Sequence, residues 1–296
     1  MARALRARAT NSYRPFAFLL CGAPRIICRM NLIDALFART RAAKRAALMP
    51  FVTAGDPDLA FTRDLLPALA DAGADLFEIG FPFSDPIADG PVIQASYTRA
   101  LEKHLKTADV FASLKQVTAR PGWGAPLVAM ASYSLMFRAG PGAFMDAARA
   151  AGLSGCVVPD VPVEEAEDLS QLARDRDFKL ILLVTPTTSP ERAAKVVKAC
   201  SGFVYVVSVV GITGARDALP AALREQLARL RTLTDLQLCV GFGVSKPEQV
   251  AELRDIADGV IVGSAVVRHL EAAATDRAMA LSDVTAFVRA LRAPLG

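Results

Sequence analysis

Residues 75–91 read Asp-Leu-Phe-Glu-Ile-Gly-Phe-Pro-Phe-Ser-Asp-Pro-Ile-Ala-Asp-Gly-Pro. The stretch opens as a short apolar strand, sets Glu78 near the strand's end, and breaks at Gly80 and Pro82 into a loop carrying Ser84, Asp85 and Asp89. Glu78 and Asp89 therefore flank one strand-to-loop junction. A carboxylate on a strand is held by its sheet, whereas one on a loop punctuated by Pro and Gly can be brought over it or withdrawn. The pair suits a fixed acid/base and a mobile partner. The same spacing also fits a satisfied rim residue beside a solvated acidic loop, because structural networks perturb carboxylates too.

Working outward from that junction, helix and strand periods alternate from Met30 onward. A helix at about 31–45 leads to a strand at 48–55, and the next helix is expected to open at Asp56-Pro57, where Asp caps and Pro suits the first turn. The second strand covers 76–80, and a helix follows Pro91. Further strands are expected at 126–132, 155–160, 179–185, 203–208, 237–243 and 259–263. Helical stretches fall at about 141–151, 163–175, 190–199, 217–233, 247–255 and 264–273. The strands are continuous apolar runs, as in a parallel sheet covered on both faces. Eight such strands with intervening helices in about 265 residues match a single (β/α)8 TIM barrel with an added N-terminal helix. A doubly wound open sheet would use the same local pattern.

The bulk properties narrow the function. With 53% hydrophobic and 22% charged residues, the chain is expected to be soluble with a sizeable core, and its early apolar segment, Phe16 to Cys21, is too short to cross a membrane. The net charge of +4 rests on six arginines in residues 1–29, which hold no acid; without them the body carries −2. No nucleic-acid partner is implied. The five cysteines lack CxxC spacing and read as reduced thiols, and His104 and His269, both on expected helices, argue against a histidine metal site or a Ser-His-Asp triad. The first 29 residues are expected to be a disordered extension. They read as an organelle transit peptide or as the product of a start codon chosen too early, and the second is preferred because Met30-Asn-Leu-Ile-Asp-Ala-Leu-Phe begins an amphipathic helix at once. Residues 30–296 are then the barrel, and the compartment is the cytoplasm, or an organelle if 1–29 is a transit peptide.

Barrel active sites lie at the strand C-termini. Acids cluster after the early strands and glycines after the late ones. Gly243-Val-Ser245 and Gly263-Ser264 each lead into a helix, where close-approaching backbone and free N–H groups suit a phosphate; tight βα turns would need the same glycines. Lys179 starts its strand and the later strand ends carry no lysine, which disfavours a Schiff-base aldolase.

The motif at 78–91, with Pro-Phe-Val-Thr-Ala-Gly-Asp-Pro at 50–57, Asp-Val-Pro-Val-Glu-Glu at 160–165 and Val-Val-Gly-Ile-Thr-Gly at 209–214, resembles the tryptophan synthase alpha chain from about Met30 to the C-terminus. The resemblance implies a lyase that cleaves indole-3-glycerol phosphate to indole and glyceraldehyde 3-phosphate. It matches Glu78 to the family's acid/base and Asp89 to its partner carboxylate. Phe51 and Tyr205 match walls of the indole pocket, Thr213 a hydrogen-bond partner for Asp89, and Gly214, Gly243, Gly263 and Ser264 backbone donors to phosphate. It also implies no cofactor in this chain, pyridoxal phosphate on a partner beta chain, and an alpha2beta2 heterotetramer with the loop at 82–89 at the contact. The sequence departs from the family where Ser132 and Ser134 stand for a Tyr and an Asn, with Tyr133 marking a possible slip of one residue, which on a strand would reverse its face. A stand-alone indole-3-glycerol phosphate lyase and a non-catalytic phosphate-binding regulatory barrel are the alternatives.

Overall fold

The computed structural model describes residues 30–86, 89–208, 222–241 and 243–296. Its first half runs α1 (Leu32–Ala42), β1 (Ala47–Thr53), α2 (Leu59–Asp71), β2 (Phe77–Gly80), α3 (Pro91–Leu101), α4 (Thr107–Thr118), β3 (Leu127–Met130), α5 (Tyr133–Ala139), α6 (Pro141–Ala150) and β4 (Leu153–Val157). The second half runs α7 (Glu167–Arg174), β5 (Lys179–Ile181), β6 (Leu183–Val184), α8 (Pro190–Ala199), β7 (Phe203–Val207), α9 (Ala222–Arg231), β8 (Gln237–Gly241), α10 (Pro247–Leu253), β9 (Gly259–Val262), α11 (Ser264–His269) and α12 (Arg277–Arg292).

All pairings between these strands are parallel, in the order β5-β4-β3-β2-β1-β9-β8-β7-β6. The two ends of that order are consecutive in the chain. The expected strand at 179–185 is interrupted at Leu182, whose N–H donates to Cys200 Sγ (3.3 Å) while its carbonyl accepts from Tyr205 N–H (3.2 Å). Nine segments thus occupy the eight positions of a (β/α)8 barrel.

Strand side chains alternate between two apolar environments, as the period of two requires. Leu48, Phe77, Ile79, Val204 and Val240 pack outward under the helices. Met49, Phe51, Val128, Tyr205, Cys239 and Ile261 fill the interior. Because both faces are buried, every residue of β1 is buried, which explains the continuous apolar runs. The added helix α1 covers the strand N-termini. Its Ile33, Leu36 and Phe37 join the interior cluster, with the Phe37 and Phe203 rings 6.0 Å apart. Asn31 caps α1 and donates to Ser154 O (3.1 Å) and Asp177 O (2.9 Å), and Asp34 pairs with Lys179 (2.6 Å).

Several expectations need correction. Helix α2 is capped by Asp58, which accepts from Phe61 N–H (2.9 Å); Asp56 instead lies buried, accepting from Arg99 Nε (2.9 Å) and Nη2 (2.6 Å). A long-range guanidinium outcompeted the local cap. The third strand ends at Met130 rather than 132, because Ser132 turns the chain and caps α5. The stretch 163–175 divides into a 3₁₀ turn, Val163–Glu165, and α7. Helices α4, α5 and α12 were not anticipated. His104 stands exposed in a left-handed turn rather than on a helix, and His269 ends α11 with its ring 4.4 Å from that of Phe287. Cys156, Cys200 and Cys239 are buried free thiols as expected, their pKa values pushed up by burial, to about 12 for Cys156 and Cys200. The expected helix at 217–233 is seen from Ala222; residues 1–29 and 217–221 lie outside the described residues.

Candidate active site

Glu78 stands on β2 with its side chain in the barrel interior, in register with Phe51 of β1 and Val128 of β3. It is 2% exposed, and its Oε1 has no hydrogen-bond partner among the described residues. Two residues on, Gly80 faces the same way. A Cβ there would collide with the Phe51 ring edge and stand 2.8 Å from the Tyr97 hydroxyl, so the missing side chain lets both rings close over the acid. Gly241 does the same across the barrel, where a Cβ would stand 2.5 Å from the Tyr205 hydroxyl. Phe51 and Tyr205 are thus both inward-facing and buried in the same interior cluster as Tyr97.

Asp89 closes the loop that follows β2. Its N–H donates to Pro86 O (3.1 Å), and Gln94 Nε2 donates to Asp89 O (2.7 Å), so the first turn of α3 fixes the loop's end. Pro91 at the first helical position, behind Gly90 as cap, starts α3 directly after the acid. Asp89 lines a small cavity, about 30 Å³, with Phe83, Tyr97, Met130, Ser132 and Asp160.

The two acids are pushed apart. Burial, with a smaller contribution from the Asp89 charge, raises the Glu78 carboxyl from 4.5 to about 8. Burial raises Asp89 from 3.8 to about 6. At neutral pH one therefore holds a proton and the other is ionised, the division of labour that general acid and electrostatic stabiliser require. Tyr97 and Tyr205 both lie well above the usual tyrosine range, chiefly through burial and then through the two acids.

On the opposite rim, Gly243 adopts a left-handed φ of 82°, and Gly263 leads into α11 at Ser264. The start of α10 is already occupied from within, since Gln249 Oε1 accepts from Ser245 N–H (2.7 Å) and Lys246 N–H (3.0 Å). Thr213 and Gly214 lie outside the described residues. Ser132, Tyr133 and Ser134 lie beyond β3, so alternation along a strand does not govern them. Ser132 Oγ and Tyr133 N–H donate to the two oxygens of Asp160 (2.6 and 2.7 Å), which ties the start of α5 to the end of β4. Among the described residues no three of His, Cys, Asp and Glu converge as a metal cluster would need, and no helix is long and apolar enough to cross a membrane.

Tyr97 and the locking role of Asp160 escaped the sequence reading. The signal for Tyr97 was present: Ile93, Tyr97 and Ala100 recur at helical spacing straight after the acidic loop, marking the face of α3 turned inward.

The tryptophan synthase alpha chain family model matches residues 37–295. A tryptophan synthase alpha chain from Rhodopirellula baltica is 49% identical over 242 residues, 81% of this chain and 87% of that protein; one from Synechocystis is 48% identical over 242 residues, 81% and 91%. The solved tryptophan synthase subunit alpha from Legionella pneumophila superposes with a TM-score of 0.82 at 32% identity, covering 90% of this chain and 98% of that one. These matches favour neither the stand-alone lyase nor the regulatory barrel. The chain belongs to the tryptophan synthase alpha chain family, and its activity is that family's alpha reaction in tryptophan biosynthesis, the cleavage of indole-3-glycerol phosphate to indole and glyceraldehyde 3-phosphate.

Proposed function

We propose that Glu78 is the general acid/base of this cleavage and Asp89 the carboxylate that holds the indole nitrogen. The observation that carries this reading is a buried and a half-buried acid at one barrel mouth, their pKa values raised to about 8 and about 6. Protonated Glu78 gives its proton to indole C3, which leaves a positive indolenine whose N–H is stabilised by ionised Asp89. The Glu78 carboxylate then takes the proton of the hydroxyl on the adjacent side-chain carbon. The C–C bond breaks, its electron pair returns to the ring, the carbon becomes the aldehyde, and Glu78 is restored. Phe51 and Tyr205 form the walls against the indole. Gly214, Gly243, Gly263 and Ser264 give backbone donors to the phosphate, and Thr213 supports Asp89. With the first turn of α10 taken by Gln249, the start of α11 bears most of the phosphate contact.

Residues 30–296 form the catalytic domain in this reading, and the chain works in the cytoplasm. Its partner is a tryptophan synthase beta chain that holds pyridoxal phosphate and receives indole, in an alpha2beta2 assembly. The loop after β2, with Phe83 and Pro86, supplies apolar contact to that partner. The test is indole release from indole-3-glycerol phosphate by residues 30–296, with and without beta chain. Slow release that rises with the partner, and its loss in Glu78→Gln with substrate binding retained, is the expected result. Turnover by a clean Glu78→Gln preparation overturns the assignment.

A further inference from the structure

We infer that Tyr97 is a positioning residue for the alpha reaction: in the substrate complex its phenol donates a hydrogen bond to the Asp89 carboxylate, aiming it at the indole nitrogen and favouring its ionised form. The inference rests on the role proposed above for Asp89.

The observations concern where the phenol is held and what surrounds it. Tyr97 is 3% exposed, and its hydroxyl lies over Gly80, one interior position beyond Glu78. Tyr97 and Asp89 line the same small cavity. The helix that carries the ring is pinned on both sides of it. Ser96 Oγ and Thr53 Oγ1 are 2.6 Å apart in a buried contact with β1, and Arg99 forms a two-point pair with buried Asp56. A ring anchored this way keeps its hydroxyl in place without help from substrate.

Among the described residues, the side chains beside Asp89 point to Tyr97 as a donor that acts alongside Thr213. Among the described residues, the charged and titratable groups around Asp89, besides Tyr97, are Glu78 from β2, Tyr205 from β7, Asp85 of the same loop and Asp160 after β4. Asp85 accepts from Ser84 Oγ (2.6 Å), and Asp160 is occupied by Ser132 and Tyr133. Asp85 and Asp160 act as acceptors in those contacts. The tyrosines divide between the catalytic acids: after burial, the charge that most opposes ionisation of Tyr97 is Asp89, and for Tyr205 it is Glu78. A donor to the ionised form of a carboxylate lowers its pKa, so Tyr97 offsets part of the burial that pushes Asp89 up.

The experiment is the pH dependence of kcat/KM for indole release by the complex with beta chain, comparing the wild type with Tyr97→Phe and with 3-fluorotyrosine at position 97. Removing the donor is expected to move the acid limb up by about one pH unit, a tenfold change in the ionisation constant. It should also lower kcat about tenfold with KM within about twofold. The more acidic fluorophenol is a stronger donor and should move the same limb down. An acid limb unmoved in both variants overturns the inference, and a raised KM with that limb unmoved assigns Tyr97 to the pocket wall alone. Should Tyr97→Phe not fold, the fluorinated protein decides by itself. Full activity in Asp89→Asn would instead overturn the role of Asp89, whereas loss of activity there with an unmoved limb in the Tyr97 variants removes only this inference.

Discussion

Glu78→Gln should make the protein more stable in alkali while destroying its activity. Glu78 is almost fully buried, and its Oε1 lacks a hydrogen-bond partner among the described residues, so folding removes a carboxylate from water without replacing its solvation. The folded state holds the proton up to about pH 8, while the carboxyl's ordinary value is 4.5. Below 4.5 both states are protonated and the acid is neutral in the balance. Between 4.5 and 8 the unfolded chain ionises and the folded one does not, so stability falls by about 1.4 kcal/mol per pH unit; above 8 the loss is constant. The loss attributable to this one residue is under about 1 kcal/mol at pH 5, about 3 at pH 7 and about 5 at pH 9. Glutamine has no proton to lose, and the raised Asp89 is common to both proteins. Urea unfolding of both at pH 5, 7 and 9, followed by circular dichroism, reads the difference in the first transition. A variant-minus-wild-type difference that grows by several kcal/mol from pH 5 to 9 is expected. A difference flat across that range would refute the claim that Glu78 is protonated in its buried site.

The pH profile of kcat/KM should be a bell with limbs near 6, where Asp89 ionises, and near 8, where Glu78 loses its proton. Asp89→Asn should abolish the lower limb and lower the rate about 10²- to 10⁴-fold, read by steady-state indole release. Gly80→Ala should raise KM and cost about 1–3 kcal/mol of stability, because the new methyl meets Phe51 and Tyr97 rather than empty space; thermal unfolding and substrate titration check it.

The alternation of helices and strands was legible because buried parallel strands advertise themselves as apolar runs, and Glu78, Phe51 and Tyr205 were marked by the family's motifs; a run that is apolar throughout hides which face each side chain takes, so their interior placement had to come from the structure. What the sequence could not reveal was decided between distant residues. Asp56 reads as a helix cap until Arg99 arrives from 43 positions away. Ser132 reads as strand until Asp160 accepts its hydroxyl from after β4. The break at Leu182 depends on the Cys200 thiol, which no local pattern near 182 announces. Tyr97 sits between these cases: helical spacing sets it on one face with Ile93 and Ala100, a signal that went unread, and the glycine at 80 gives its hydroxyl a place beside the acids.

The helix added before the first strand turns the barrel into a blind well. With Ile33, Leu36 and Phe37 packed beneath Phe203, the described residues close the axis at that end. What the described residues leave open to substrate is the far end, at the strand C-termini, where Asp89 stands.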